Sequence, residues 1–274
     1  MSLEKQYLGF LKSKSLWNDR NLFGLHQFNF EELSIKAKIP NVLHLEIRKN
    51  EVLGKRVEHF FGHLITSSDR LQLIANNIQV FSAKITIGEL DFIVKDFIEE
   101  KVLHIELIYK FYLYDPEIEG ELERWIGPNR KDTLLQKIEK LKQKQLPLLY
   151  KEETKPHLKD LNLNHKNITQ QVCYLANLFV PFSIKENILP HINNNCIVGY
   201  WIKVNDFTPE KYNASLFYLP EKKDWLVQPE YGESWHSYET ILQQMHTQLE
   251  QKKSPLLWMK NNGDIYSRLF VVWW

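Results

Sequence analysis

Residues 102–113 carry the pattern that most constrains this chain. Leu103, Ile105, Leu107, Tyr109, Phe111 and Leu113 fall at every second position, so a β-strand places all six on one face. The opposite face receives His104, Glu106 and Lys110. An unbroken apolar and aromatic face of that length belongs against a core, which makes the segment a central strand opening onto a pocket on its other side. Charges placed in such a position need partners, because desolvating them alone is expensive.

The neighbouring segments supply those partners. Ile85, Ile87, Glu89, Asp91 and Ile93 share one face of a preceding strand, and Ile78 and Val80 begin another. From Glu51 the period changes: Leu53, Val57, Phe60 and Leu64 form a helical stripe widened by Phe61 and Ile65, with Glu58 at its edge. Residues 125–132 read as a loop, Asp132 as an N-cap, and Leu134, Ile138 and Leu141 as the buried stripe of a second helix. Extended by four, that stripe reaches Gln145, an amide where another leucine would be expected. Residues 151–168 form a polar connection, and residues 171–180 a strand ending at Pro181.

The element order from Glu51 is therefore helix, three strands, helix, strand, an αβββαβ core of the α/β class with a mixed sheet flanked by helices. Residues 1–50 read as a helical lead-in packed on this core, with Pro40 separating the two, and residues 51–181 as the core. Residues 182–274 form an α+β extension. Strands are expected at 196–204, 214–219 and 225–227, a helix at 237–251, and a hairpin over 256–274 that turns at Asn261-Asn262-Gly263-Asp264.

The segments GELDF, HIELIYKFYL and WIGPNRKDTLLQK resemble an uncharacterised bacterial family, domain of unknown function 1853. The arrangement of Asp91, Glu106 and Lys110 on two strands resembles the PD-(D/E)XK nuclease superfamily. Glu58 resembles the acidic residue often found on the first core helix of that superfamily. Gln145 with Tyr150 resembles a Gln-and-Tyr motif that some of its members carry on the second.

The resemblance implies a restriction-endonuclease-like fold and Mg²⁺- or Mn²⁺-dependent hydrolysis of phosphodiester bonds in nucleic acid, DNA foremost. Asp91 and Glu106 would serve as metal ligands, Lys110 would aid the attacking water, and Glu58 and Gln145 would support them. Mg²⁺ is held by one or two carboxylates plus water and substrate oxygens, and a nearby ammonium can neutralise phosphoryl charge. The superfamily places its lysine two residues after the acid, whereas Lys110 follows Glu106 by four. On a regular strand that is roughly 13 Å rather than about 7 Å, so the lysine must reach back or a bulge must shorten the path.

Asn129 and Arg130 precede a helix N-terminus, where anions are favoured, His104 flanks Glu106, and Gln145 points inward from the second helix; these four are the candidate nucleic-acid contacts. A structural ion pair on a half-exposed sheet satisfies the pattern of Asp91, Glu106 and Lys110 equally well. His59 and His63 have helical zinc spacing, but HFFGH lacks the glutamate of a metalloprotease motif and a solvated face accounts for it. A catalytically inactive nuclease-fold module that binds nucleic acid or assembles with protein is the alternative function, and the extension is a candidate protein-binding part.

Composition narrows the partners. Lys+Arg 35 against Asp+Glu 34 leaves a formal charge of +1, so any polyanion contact must be local. Two cysteines, Cys173 and Cys196, suffice neither for a disulfide framework nor for a cysteine-built zinc site. With no apolar run long enough for a signal peptide or membrane span, a cytoplasmic protein with no membrane partner is expected.

Overall fold

The computed structural model describes residues 1–17, 21–39, 42–182 and 191–274. The expected break at Pro40 lies outside the described residues. Among those described, ten strands build one mixed sheet. The principal strands are β1 (Leu71–Ser82), β2 (Ile85–Asp96), β3 (Lys101–Tyr114), β4 (Ile168–Pro181), β5 (Ile197–Lys203), β6 (Leu216–Tyr218), β7 (Leu256–Asn261) and β8 (Ile265–Val272). Their spatial order is β6-β7-β8-β5-β4-β3-β2-β1, and the short strands Lys14–Ser15 and Trp125–Ile126 pair with β4 and β3 respectively.

The pairing is antiparallel from β1 through β3. It becomes parallel across β3, β4, β5 and β8, and antiparallel again to β7 and β6. The longest parallel ladder joins β3 to β4, from Val102–Ile168 to Leu113–Phe179. Such a ladder needs a crossover. The crossover here is α4 (Leu134–Lys140), the π-helical turn Leu141–Gln145, the 3₁₀ segment Leu146–Tyr150 and α5 (Lys155–Asp160), which also occupies much of the expected polar connection.

On one face of the sheet α1 (Leu3–Leu11) and α3 (Leu53–Thr66) pack through Phe10, Phe60, Phe61 and Leu64 onto Phe92, Ile105, Phe111 and Phe179. On the other, Leu134, Ile138 and Leu141 cover Ile108 and Tyr112, while Leu148 and Leu149 cover Leu90 and Ile93. Gly88 admits this second layer, since a Cβ there would stand 2.6 Å from Leu148 Cδ2. β3 is consequently buried on both sides, and His104 and Glu106 are fully enclosed rather than opening onto a pocket.

Residues beyond 181 continue the same sheet: β5 pairs directly with β4, and Phe270 and Val272 share a core with α3. The helix α6 (Tyr238–Glu250), capped by Ser237, packs through Ile241 and Met245 on Leu257 and Val271. Two local expectations are corrected. Thr133, not Asp132, caps α4 through a capping box with Gln136, because the side chain of Asp132 is engaged by Lys110. Residues 225–227 form a turn that carries Trp225 and Leu226 into the core, not a strand.

Candidate functional site

The site begins where β2 and β3 part. Their ladder runs from Asp96–Lys101 to Phe92–Ile105 and stops there. One residue further along, the Asp91 carboxylate fills the gap by accepting the freed backbone N–H of Leu107 at 2.9 Å through Oδ2. This side-chain cap satisfies an orphan donor and turns the carboxylate of Asp91 toward Glu106. Burial first, and then the negative charge of Glu106, push the Asp91 carboxyl up from the usual 3.8 to about 8; the Leu107 N–H and Lys137 only partly oppose them.

Glu106 is held by a chain whose amide and proton assignments follow from obligate partners. The carbonyl of Leu146 can only accept, so the atom facing it at 2.7 Å is the Gln170 amide nitrogen. The same nitrogen lies 3.0 Å from His104 Nδ1, which must then accept and leave the ring proton on Nε2. His104 Nε2 donates to Glu106 Oε1 at 3.0 Å. On the other side the Lys137 ammonium, an obligate donor, reaches Gln145 Oε1 at 2.7 Å, so the Gln145 amide nitrogen donates to Glu106 Oε2. Glu106 thus accepts on both oxygens.

The π-helical turn Leu141–Gln145 places Gln145 there. One wider turn shifts the phase of the helix so that an amide at the stripe's end meets the carboxylate below it, and such turns recur at functional sites. Lys137 lies on the same stripe between Leu134 and Leu141. Burial, then its like-charged neighbour Lys140, push the Lys137 ammonium down to about 8, against the pull of Glu106 and Asp91; Lys110 adds a further like charge. Of these three ammonium groups, the desolvated Lys137 is the one on which both carboxylates act.

The predicted residues divide accordingly. Asp91, Glu106, His104 and Gln145 come together. Glu58 stands at the margin, near enough for its charge to raise Asp91, but it is bonded to Lys55 at 2.6 Å; Lys55 also reaches Glu89 at 3.4 Å. Lys110 points elsewhere and pairs with Asp132 at 2.5 Å. Asn129 and Arg130 are structural ties: Asn129 accepts from the Ser254 N–H at 2.8 Å, and Arg130 bonds the buried Asp115 at 2.8 Å and lies over the Trp274 ring at 4.3 Å. Tyr150 is exposed and meets the His165 ring edge-on. His59 is exposed, whereas His63 is half-buried against Tyr7.

Gln170 and Asn77 went unnamed in the sequence reading, and Lys137, which reads with Lys140, Lys142 and Lys144 as part of a solvated helix face, is instead desolvated. Lys137 had a readable signal, since a charged residue on the inward stripe of a helix needs a partner inside. Gln170 could be found only from the β3–β4 register, which pairs it with His104. Asn77 stands between the pairs Asn76–Phe92 and Ile78–Leu90, across from Asp91, with φ 52. Asparagine tolerates that left-handed backbone. With its nitrogen facing the two carboxylates, which can only accept, its amide donates to Glu58 at 3.2 Å and Glu89 at 3.0 Å.

No curated protein and no solved structure matches the chain. A family model does, over residues 32–272, from within the lead-in helix α2 (Phe30–Ile35) through every principal strand of the sheet. The chain belongs to the family described as Domain of unknown function (DUF1853).

Proposed function

We propose that this chain is a divalent-cation-dependent phosphodiesterase acting on nucleic acid, with DNA as its substrate. Its restriction-endonuclease-like core would comprise α3, β1–β3, the helical segment 134–150 and β4. The observation that carries the reading is the convergence of Asp91 and Glu106 at the parting of β2 and β3, with the desolvated Lys137 ammonium beside them.

The donor set suits a hard cation. Two carboxylates that retain a proton near neutral pH, through burial first and their mutual repulsion second, are a pair from which a cation can displace that proton. Among the described residues no group of three or more His, Cys, Asp or Glu side chains forms a complete metal cage. Two carboxylates completed by water and substrate oxygens match the way Mg²⁺ is commonly held. Asp91 and Glu106 would hold the ion, which supplies polarisation of a phosphoryl oxygen and acidification of water.

The chain's own groups do the rest. Lys137 offers an ammonium to a non-bridging phosphoryl oxygen and strengthens as charge builds there. Gln145 and His104 fix the plane of Glu106, and Gln170 keeps the His104 proton on Nε2. Lys110 and Lys140 add positive charge where a phosphate backbone would run. The test is cleavage of supercoiled, linear and single-stranded DNA, with RNA in parallel, in Mg²⁺ or Mn²⁺. Glu106→Ala should lower the rate by about 100-fold or more while the circular dichroism spectrum is unchanged. Cleavage that survives the substitution sinks the reading.

One observation favours a second reading, a catalytically inactive module that binds nucleic acid or assembles with protein. Both oxygens of Glu106 already have donors, so a cation must displace Gln145 or His104 or share an oxygen with one of them. Calorimetry separates the two: no heat with Mg²⁺ or Mn²⁺, together with no cleavage, selects the inactive module.

A further inference from the structure

A cavity of about 760 Å³ opens on the face of β3 opposite Glu106, and the chemistry above does not use it. Alternation along β4 explains its position. Cys173 and Leu175 belong to the core packed under α1 and α3, and Gln171, two residues earlier on the same face, is where that apolar row ends. The pair Leu103–Thr169 carries the same face across to β3, and Leu103, Thr169 and Gln171 all line the cavity. Phe28, Leu33 and Leu71, each buried at the edge of that core, supply an apolar wall. The volume falls within the roughly 300–1,000 Å³ of pockets that hold small organic ligands.

The charges around the cavity nearly cancel. Glu31, Glu32, Asp96 and Glu99 stand against Lys14, Arg70 and Lys101. The carboxylates are already engaged: Glu31 accepts from the N–H and hydroxyl of Ser15 at 2.6 and 2.7 Å, Glu32 and Asp96 both bind the Arg70 guanidinium, and Glu99 meets Lys101 at 3.4 Å. Lys14 is the chain neighbour of the serine that Glu31 holds, so these two charges offset one another within the wall. Such a balance gives no net attraction to a multiply charged anion and favours an uncharged guest.

The polar groups of the wall are tied to the protein with one notable exception. Asn193 donates to the Ser15 carbonyl at 2.9 Å, and Asn29 accepts the Glu32 N–H at 3.2 Å. The Gln171 side chain, half-buried in the same wall, has no hydrogen-bond partner among the described residues. A side-chain amide sets a donor beside an acceptor in one plane, which complements a ligand edge carrying an acceptor beside a donor. Nucleobases present that edge, and glutamine can meet it with two parallel hydrogen bonds. Thr169 and Asn195, both exposed at the rim, bring a hydroxyl and an amide suited to sugar hydroxyls.

We propose that this cavity binds a nucleoside, with the base against the apolar wall, its edge on Gln171 and its ribose toward Thr169 and Asn195. An unpaired base of a nucleic-acid strand carries the same edge. It also brings flanking phosphates that the balanced wall does not neutralise, so the free nucleoside is the occupant. The site lies on the other face of the sheet from Asp91 and Glu106 and does not depend on the hydrolytic reading.

Calorimetric titration of the full chain, without divalent cation, with adenosine, guanosine, cytidine and uridine in turn tests the proposal. At least one should bind saturably, and its 5′-monophosphate or a short oligonucleotide of the same base should bind several-fold more weakly. No binding by any nucleoside overturns the proposal, and so does tighter binding of the monophosphate or the oligonucleotide.

Gln171→Leu should weaken the nucleoside about tenfold, and an unchanged affinity counts against the site. Because leucine can also alter the packing of the wall, Gln171→Glu provides a second variant that keeps the shape and removes the amide donors. It too should bind several-fold more weakly, and an affinity equal to that of the parent overturns the role given to Gln171. Crystals soaked in the bound nucleoside should show it between Gln171 and Leu71; density elsewhere overturns the placement.

Discussion

Two lysines near the acidic pair differ in what their ammonium groups face, and that difference sets their roles. Lys137 is desolvated and tied to Glu106 through Gln145, whereas Lys110 is about one-third exposed and paired with a similarly exposed Asp132. If the site hydrolyses phosphodiesters, Lys137→Met should cost about 100-fold in kcat, and Lys110→Met less than about 10-fold. The ion pair lost in the second variant contributes less than about 1 kcal/mol of stability. Steady-state cleavage kinetics on both variants check the assignment, and the reverse order would return the catalytic role to Lys110.

Asp91 predicts a pH dependence that needs no substrate. Its unfolded carboxyl ionises near 3.8, while the folded one keeps its proton to about 8. Between those values the folded state binds more protons than the unfolded, so this group's contribution is fully present below pH 3.8 and is lost as pH rises through about 8. Asp91→Asn keeps an oxygen for the Leu107 N–H and removes the titration. At pH 8 the variant should be more stable than the parent by on the order of 1–3 kcal/mol, with the gap closing toward pH 4. Parallel Tm-against-pH curves would mean that the proton resides elsewhere.

At the scale of elements, the π turn and the Gly88 contact determine whether the two layers meet in register. Deleting the exposed Gln143 would return the turn to α-helical phase and swing Gln145 off Glu106. The expected outcome is a folded protein in which the Gln145 side-chain amide resonances shift toward solvent-like values. Gly88→Ala should destabilise by about 1–3 kcal/mol through the clash with Leu148, read by urea denaturation.

What the sequence disclosed of these elements follows its periodicities. The α3 stripe and the alternation along β2 and β3 were readable because burial on one face leaves period 3.6 or 2 in the chain. The meeting of Asp91 with Glu106 was readable because each lies on a strand of one hairpin pattern. The π turn was not, since it adds no residue type of its own, and neither was the preference for Lys137 over Lys110, which depends on how the crossover docks. The burial of the charged face of β3 escaped for the same reason: alternation says which side chains share a face, not what covers that face.

For the whole molecule, the absence of a seam at Pro181 has a measurable consequence. β4 is flanked by β3 and β5, and its residues from Val172 to Pro181 are buried. A fragment ending at Pro181 would expose Leu178, Phe179 and Val180 along an unpaired edge, a template for aggregation. Limited proteolysis and analytical ultracentrifugation should find that fragment aggregated or non-cooperative in unfolding. A well-behaved monomer would instead establish residues 1–181 as an autonomous folding unit.

The clasp formed by residues 128–130 has a reach that its position belies. Trp274 donates to the Pro128 carbonyl, Ser254 bonds both Pro128 and Asn129, and Arg130 lies across the Trp274 ring. The same short loop delivers the chain into α4, and so sets the starting point of the helix bearing Lys137 and Gln145. Loosening the clasp by Trp274→Ala should therefore speed amide exchange in residues 133–145 while α3 keeps its protection. A residue remote in sequence from the acidic pair would act as the anchor bolt of the arm that reaches it.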